Sequence, residues 1–168
     1  MKWILGFTVA ALGFGLTGCG GSGHTAATQA GGVGASPGAA TVGVAQNADQ
    51  GAILVDGQGR TLYLFEKDSG TTSACTGACA PVWPALTAAA QPAAGAGVDA
   101  AKLSTADGQV AHQVAYAGHL LYSFSGDRAA GEVKGVGIPG WYPVSPSGAK
   151  VDKDDKDEKG HADGNSGY

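Results

Sequence analysis

The segment Leu62-Tyr63-Leu64-Phe65-Glu66-Lys67-Asp68 recurs as Leu121-Tyr122-Ser123-Phe124-Ser125-Gly126-Asp127. Both copies read Leu-Tyr-x-Phe-x-x-Asp, and a glycine, Gly59 or Gly118, stands three residues before each Leu. Tyr63, Phe65 and Asp68 meet their counterparts Tyr122, Phe124 and Asp127 59 residues later, and Trp83-Pro84-Ala85-Leu86 is echoed by Trp141-Tyr142-Pro143-Val144 at an offset of 58. Two ordered copies describe a duplicated domain; a solenoid needs more. Tyr and Phe two apart share one face of a β-strand, because side chains alternate with period two. The Asp stands where that strand should end, placed to accept N–H groups of the next turn.

Around these motifs the chain reads as all-β. Ala52–Asp56, the turn Gly57-Gln58-Gly59-Arg60 and Thr61–Phe65 have the pattern of a hairpin. Val110–Tyr116, the two-residue turn Ala117-Gly118 and His119–Phe124 make a second one. Leu62 and Leu64 oppose Tyr63 and Phe65, so both faces of that strand are apolar, as in a strand covered on both sides. Pro81 and Pro84 exclude helix around Trp83 and favour extended chain. Ala88–Ala101 reads as an irregular loop with a short turn near 98–102, and Trp141–Val144 as a last short strand. The expected fold is a duplicated, hairpin-based repeat packed as a small sandwich or barrel. The β domain spans 49–148, with repeats at about 51–86 and 110–148.

The flanks are of other kinds. Lys2 followed by the apolar run Ile4–Leu16 has the form of an export signal over residues 1–18, too short to span a bilayer. Its end, Leu16-Thr17-Gly18-Cys19, resembles the bacterial lipobox, which implies a mature chain beginning at a lipidated Cys19 with acyl chains of the palmitate type. Residues 19–48 then read as that cysteine and a flexible Gly/Ala/Ser tether, with a reach of about 30 Å. Residues 149–168 mix lysines with acids, almost without apolar residues, and read as a disordered tail. Asp155-x-Asp157-x-Lys159-Gly160 fails the order of an EF-hand loop, so calcium is not expected there. Of 168 residues only 14% are charged and the net charge is −4, which gives no reason to expect nucleic acid.

With Cys19 assigned to lipid, Cys75 and Cys79 are left as an even pair in an oxidising compartment. As a disulfide they close a small ring whose stabilisation is about 2 kcal/mol on the chain-entropy model. As thiolates they suit a soft metal such as copper, with His112 or His119 as a further ligand. Asp68 and Asp127 read as turn caps in preference to a paired acid and base. Tyr63, Phe65, Trp83, Tyr122, Phe124, Trp141 and Tyr142 read first as core, since each large ring buries 150–250 Å². No Ser-His-Asp order, phosphate loop or zinc spacing is present, and no enzyme activity is expected.

The lipobox, Leu54-Val55-Asp56-Gly57-Gln58-Gly59-Arg60-Thr61-Leu62-Tyr63, Cys75-Thr76-Gly77-Ala78-Cys79-Ala80-Pro81-Val82-Trp83-Pro84 and the doubled Tyr-x-Phe-x-x-Asp together resemble the bacterial secreted-repeat lipoproteins, described by a Yx(FWY)xxD motif. The resemblance covers about 51–148, departing at Ala85, where the family commonly has a second proline, and in the absence of a cysteine pair from the second repeat. It implies no established activity. The expectation is a monomeric, non-catalytic binding or structural module, without cofactor. It would be lipid-anchored at the cell membrane or outer membrane, facing the periplasm or exterior, with an unknown envelope component as partner. The alternative is a redox or copper-handling lipoprotein using Cys75, Cys79 and a histidine.

Overall fold

The computed structural model describes residues 38–152. The signal segment, Cys19, the tether up to residue 37 and the tail beyond residue 152 lie outside the described residues. Eight short strands follow in order: β1 (Thr41–Asn47), β2 (Gly51–Asp56), β3 (Tyr63–Phe65), β4 (Ala93–Ala94), β5 (Leu103–Ala106), β6 (Gln113–Tyr116), β7 (His119–Leu120) and β8 (Trp141–Pro143). They form three small sheets, β2-β1-β4, β3-β8 and β5-β6-β7. The described residues hold no α-helix, only two 3₁₀ turns, Gly77–Cys79 and Ala100–Lys102. The domain is all-β and built from two repeats, as its sequence pattern led us to expect.

The hairpin turns follow their local chemistry. Asp56 Oδ1 accepts the N–H groups of Gln58 and Arg60 at 2.8 and 3.0 Å, shaping the Gly-rich turn after β2. Arg60 answers with Nε and NH2 on Asp56 Oδ2, at 2.8 and 2.7 Å. Ala117 (φ 50°) and Gly118 (φ 85°) both sit in the left-handed region, the requirement of a two-residue turn matched to strand twist.

Beyond the turns, the strand pairing departs from two self-contained hairpins. The chain entering β3 meets β2 at the isolated bridge Val55–Thr61, and β3 then pairs with β8, from the other repeat, in the register Tyr63↔Pro143, Leu64↔Tyr142, Phe65↔Trp141. The other half repeats the crossing: Tyr122 bridges Ala85, Leu86 N–H donates to Leu121 O at 2.9 Å, and Ser123 N–H donates to Pro84 O at 2.9 Å. The segment after each Tyr motif thus completes the other repeat's Tyr strand. At the centre Tyr63 and Tyr122 exchange both backbone hydrogen bonds, at 2.9 and 3.0 Å, the arrangement of a local two-fold.

Three further expectations need correction. The tether expected to run to residue 48 ends earlier, because Thr41–Asn47 forms β1, paired with β2 from Val42↔Asp56 to Asn47↔Gly51. The signal is weak because Gly43 and Ala45 have low strand propensity; the open edge of β2 supplies the hydrogen bonds that order the segment. The loop at 88–101 holds β4, which pairs parallel to β1 at Thr41↔Ala93. Before Trp83 the chain turns instead of extending, since Cys79 O accepts N–H from both Val82 and Trp83, at 3.0 and 2.9 Å.

Two cores lie on opposite faces of the central strands. One is aliphatic, with Val42, Leu54, Leu62, Leu64, Leu103, Val114, Leu121 and Val144 around Tyr116. The other is aromatic, built on Tyr63, Trp83, Tyr122 and Trp141 with Cys75, Leu120 and Ala115. Leu62 and Leu64 face the first and Tyr63 the second, so the central strand is covered on both sides.

Because each Tyr strand takes its outer partner from the other repeat, neither half should fold alone. A fragment of residues 38–102 is expected to give no near-UV circular dichroism and no cooperative urea transition, and mixing it with a fragment of 103–152 should restore both. Cooperative unfolding of the first fragment by itself would contradict the crossed pairing.

Candidate functional site

The two repeat motifs converge at the centre of the aromatic layer, and their hydroxyls and carboxylates cross. The Tyr63 hydroxyl donates to Asp127 Oδ2 at 2.7 Å, and the Tyr122 hydroxyl donates to Asp68 Oδ2 at 2.8 Å. The other carboxylate oxygens close loops: Ala74 N–H donates to Asp68 Oδ1 and Lys134 N–H to Asp127 Oδ1, each at 2.8 Å. The carboxylates do bind backbone, but six and seven residues on, so each shapes a whole loop. The second role, holding the other motif's tyrosine, has no local signal in the sequence.

The two sites are not equally closed. Tyr63 is fully buried and Asp127 only 3% exposed, and Gly135 N–H donates to the Tyr63 hydroxyl at 3.2 Å. A Cβ on Gly135 would stand 2.7 Å from Trp83 and 2.8 Å from Tyr63, so only glycine lets the backbone reach this hydroxyl. Around Tyr122 the corresponding neighbour is the Ser73 hydroxyl at 2.7 Å, and Asp68 is half-buried.

Burial governs the titration of all four groups. It drives the Tyr63 hydroxyl far above the ordinary tyrosine range, helped by Asp127, and pushes Tyr122 up to about 12. It also raises Asp68 and Asp127, against the opposing hydrogen bonds from backbone N–H and tyrosine. Both hydroxyls therefore stay protonated at neutral pH and act as donors to the carboxylates.

The rings stack in the order Phe65, Trp141, Trp83, Phe124. Centroid distances are 4.3, 3.8 and 4.5 Å, and the two indoles are parallel. Each Phe rests on the Trp of the other repeat. Tyr63 meets Trp83 edge-on at 5.2 Å and Tyr122 meets Trp141 edge-on at 5.1 Å, so the tyrosines lock the stack at their sides. Tyr142, expected in this cluster, packs instead on the aliphatic side, with Lys150 Nζ 4.5 Å above its ring. The period-two alternation that puts Trp141 inward carries Tyr142 to the opposite face.

Cys75 and Cys79 form a disulfide with Cα atoms 5.2 Å apart, and Cys75 belongs to the aromatic cluster. The four residues of the copper alternative are not assembled. Both sulfurs are bonded to each other, and the histidines do not oppose one another, because the register pairs His119 with Tyr116. His112 is exposed, with Nδ1 3.2 Å from Asp107, and His119 is exposed as well. Among the described residues, no three His, Cys, Asp or Glu side chains are placed to hold a metal ion.

Asp127 should be the more sensitive of the two carboxylates. Asp127→Ala leaves the Tyr63 hydroxyl and Lys134 N–H without an acceptor and is expected to cost about 1–3 kcal/mol for each group left unpaired, read by urea unfolding. The pH dependence follows from the raised value. A carboxyl whose folded pKa lies above its unfolded one stabilises when protonated. Its contribution is complete below the unfolded value, about 3.9, and is lost as pH rises through the folded value. The stability difference between the wild type and Asp127→Asn should accordingly shrink as pH rises across the acid range and then level off; a difference that grows would reject this assignment.

A family model described as a secreted repeat of unknown function matches residues 44–87 and 103–145, just over half of the chain, and the chain belongs to that family. No curated protein and no solved structure matches it. The two matched segments carry the crossed Tyr-x-Phe-x-x-Asp motifs and the stacked Trp83 and Trp141.

Proposed function

We propose that this secreted-repeat protein is a non-catalytic cell-envelope module, held at the membrane through lipidated Cys19 and presenting its β domain to an envelope component. The reading is supported chiefly by the crossed Tyr–Asp pairs: the ionisable groups of the two motifs are engaged with one another and with backbone N–H groups, in the service of holding two repeats together. The disulfide supports it too, since it suits an exported domain of small core. The Leu16-Thr17-Gly18-Cys19 segment supports the anchor, and two or more acyl chains would make that anchoring stable.

The test is fractionation and mass analysis of the exported protein. The native chain is expected in the membrane fraction, with a mass increased by its acyl chains, and Cys19→Ala is expected in the soluble exported fraction. Its domain mass should be two hydrogens light and inert to alkylation. A soluble, unmodified wild-type chain would remove the anchor. Free thiols together with near-stoichiometric copper would replace the module reading with the copper one.

A further inference from the structure

The two ends of the disulfide sit in different surroundings. Cys75 is 7% exposed and packs in the aromatic cluster, with its N–H on Ser73 Oγ at 3.0 Å. Cys79 is half-buried, and Thr76, Gly77 and Ala78 between the two are exposed. A Cβ on Gly77 would meet nothing within 4 Å, so open space lies over the turn. A thiol from solution therefore reaches the bridge at Cys79 and not at Cys75.

What the bridge holds is local. Cys79 O accepts N–H from Val82 and Trp83, at 3.0 and 2.9 Å, and Cys79 N–H donates to Thr76 O at 3.1 Å. Past that turn the chain is fixed again. Val82 O accepts Ser125 N–H and Pro84 O accepts Ser123 N–H, each at 2.9 Å, and Trp83 is clamped between Trp141 and Phe124. The second repeat seats Trp141 in the matching place with no sulfur, through Trp141 N–H on Ile138 O. The fold therefore does not need a bridge to seat an indole. A ring closed at a separation of four residues also constrains the unfolded chain little.

We propose that Cys75–Cys79 is a reducible latch on the 76–81 loop, opened at Cys79 by an exported dithiol reductant while the rest of the domain stays folded. The first thiolate of the reductant attacks Cys79 Sγ; the S–S bond breaks, and its electron pair leaves on Cys75 Sγ, which takes a proton. The reductant's second thiolate then attacks the reductant sulfur of the mixed disulfide, and Cys79 Sγ leaves and is protonated in turn. The net change is protein disulfide plus dithiol to protein dithiol plus disulfide. Two thiols cannot remain at bonding distance. Cys75 is enclosed by rings, so Cys79 is the one that moves, outward into open space, and its carbonyl leaves the Val82 and Trp83 N–H groups. The open form frees the loop beside Val82, the one exposed large hydrophobic side chain among the described residues. This latch goes beyond the module reading and does not depend on the state of Cys19.

The test is amide hydrogen exchange on the full-length exported protein in detergent, before and after excess dithiothreitol, with alkylation marking the reduced cysteines. Reduction is expected to reach completion in the folded state. It should speed exchange at Val82 and Trp83 about tenfold or more and leave Tyr63, Ser125 and Trp141 as slow as before. Oxidised glutathione should restore the slow pattern. Cys79→Ser, which has no bridge to reduce, should show the open pattern without reductant and keep a cooperative urea transition. A bridge that resists dithiothreitol in the folded protein, or unchanged exchange at Val82 and Trp83, would overturn the proposal. So would faster exchange at all five amides, or loss of the cooperative transition in Cys79→Ser.

Discussion

The structure depends on a reciprocal hydrogen bond between two copies of one motif. Each tyrosine gives its proton to the other copy's aspartate, and each aspartate spends its remaining oxygen on the loop that follows its own strand. Within either repeat alone, the tyrosine would bury a hydroxyl with no acceptor and the aspartate a carboxylate with one partner fewer. Both losses are charged to any arrangement other than the crossed one. The spacing Tyr-x-Phe-x-x-Asp is thereby a device for joining repeats, with Phe stacking on the partner repeat's indole while Tyr and Asp bond across.

The ring stack and the crossed strands work in the same direction. β3 with β8, and the Tyr122 strand with Pro84–Leu86, place each Trp beside the other half's Phe, and the parallel indoles of Trp83 and Trp141 meet near the local two-fold. The disulfide acts at one flank of this assembly: Cys79 O holds the turn that delivers Trp83. The second repeat reaches an equivalent position without cysteines, through Trp141 N–H on Ile138 O at 3.0 Å and Gly140, where an added Cβ would stand 3.1 Å from the Phe65 ring. One half is pinned covalently and the other by a tightly packed loop, which accounts for a single cysteine pair in a duplicated domain.

Much of this was legible in the residues. The duplication, the all-β class, the two turns and the two-sided burial of Leu62-Tyr63-Leu64 follow from periodicity and turn chemistry, which are local. The cysteine pair was legible as a pair, with its oxidation left to compartment. What could not be read was non-local or masked by composition. β1 hides in a Gly/Ala-rich stretch and exists because β2 has an edge to fill. Tyr142 followed the alternation rule and so was readable in principle, against the pull of counting it with its aromatic neighbours.

By itself, then, the sequence determined which segments extend, where they turn, that the pattern occurs twice, and which residues are apolar enough to be covered. These are properties of residue type and spacing over a few positions. Only the tertiary structure decided that the repeats exchange their partners, because a tyrosine hydroxyl and an aspartate 64 residues apart carry no local preference for one another. One Tyr–Asp hydrogen bond within each repeat and two between repeats look the same in a sequence. The choice is made by burial, which penalises every unpaired polar group and is satisfied for both motifs at once only when they cross.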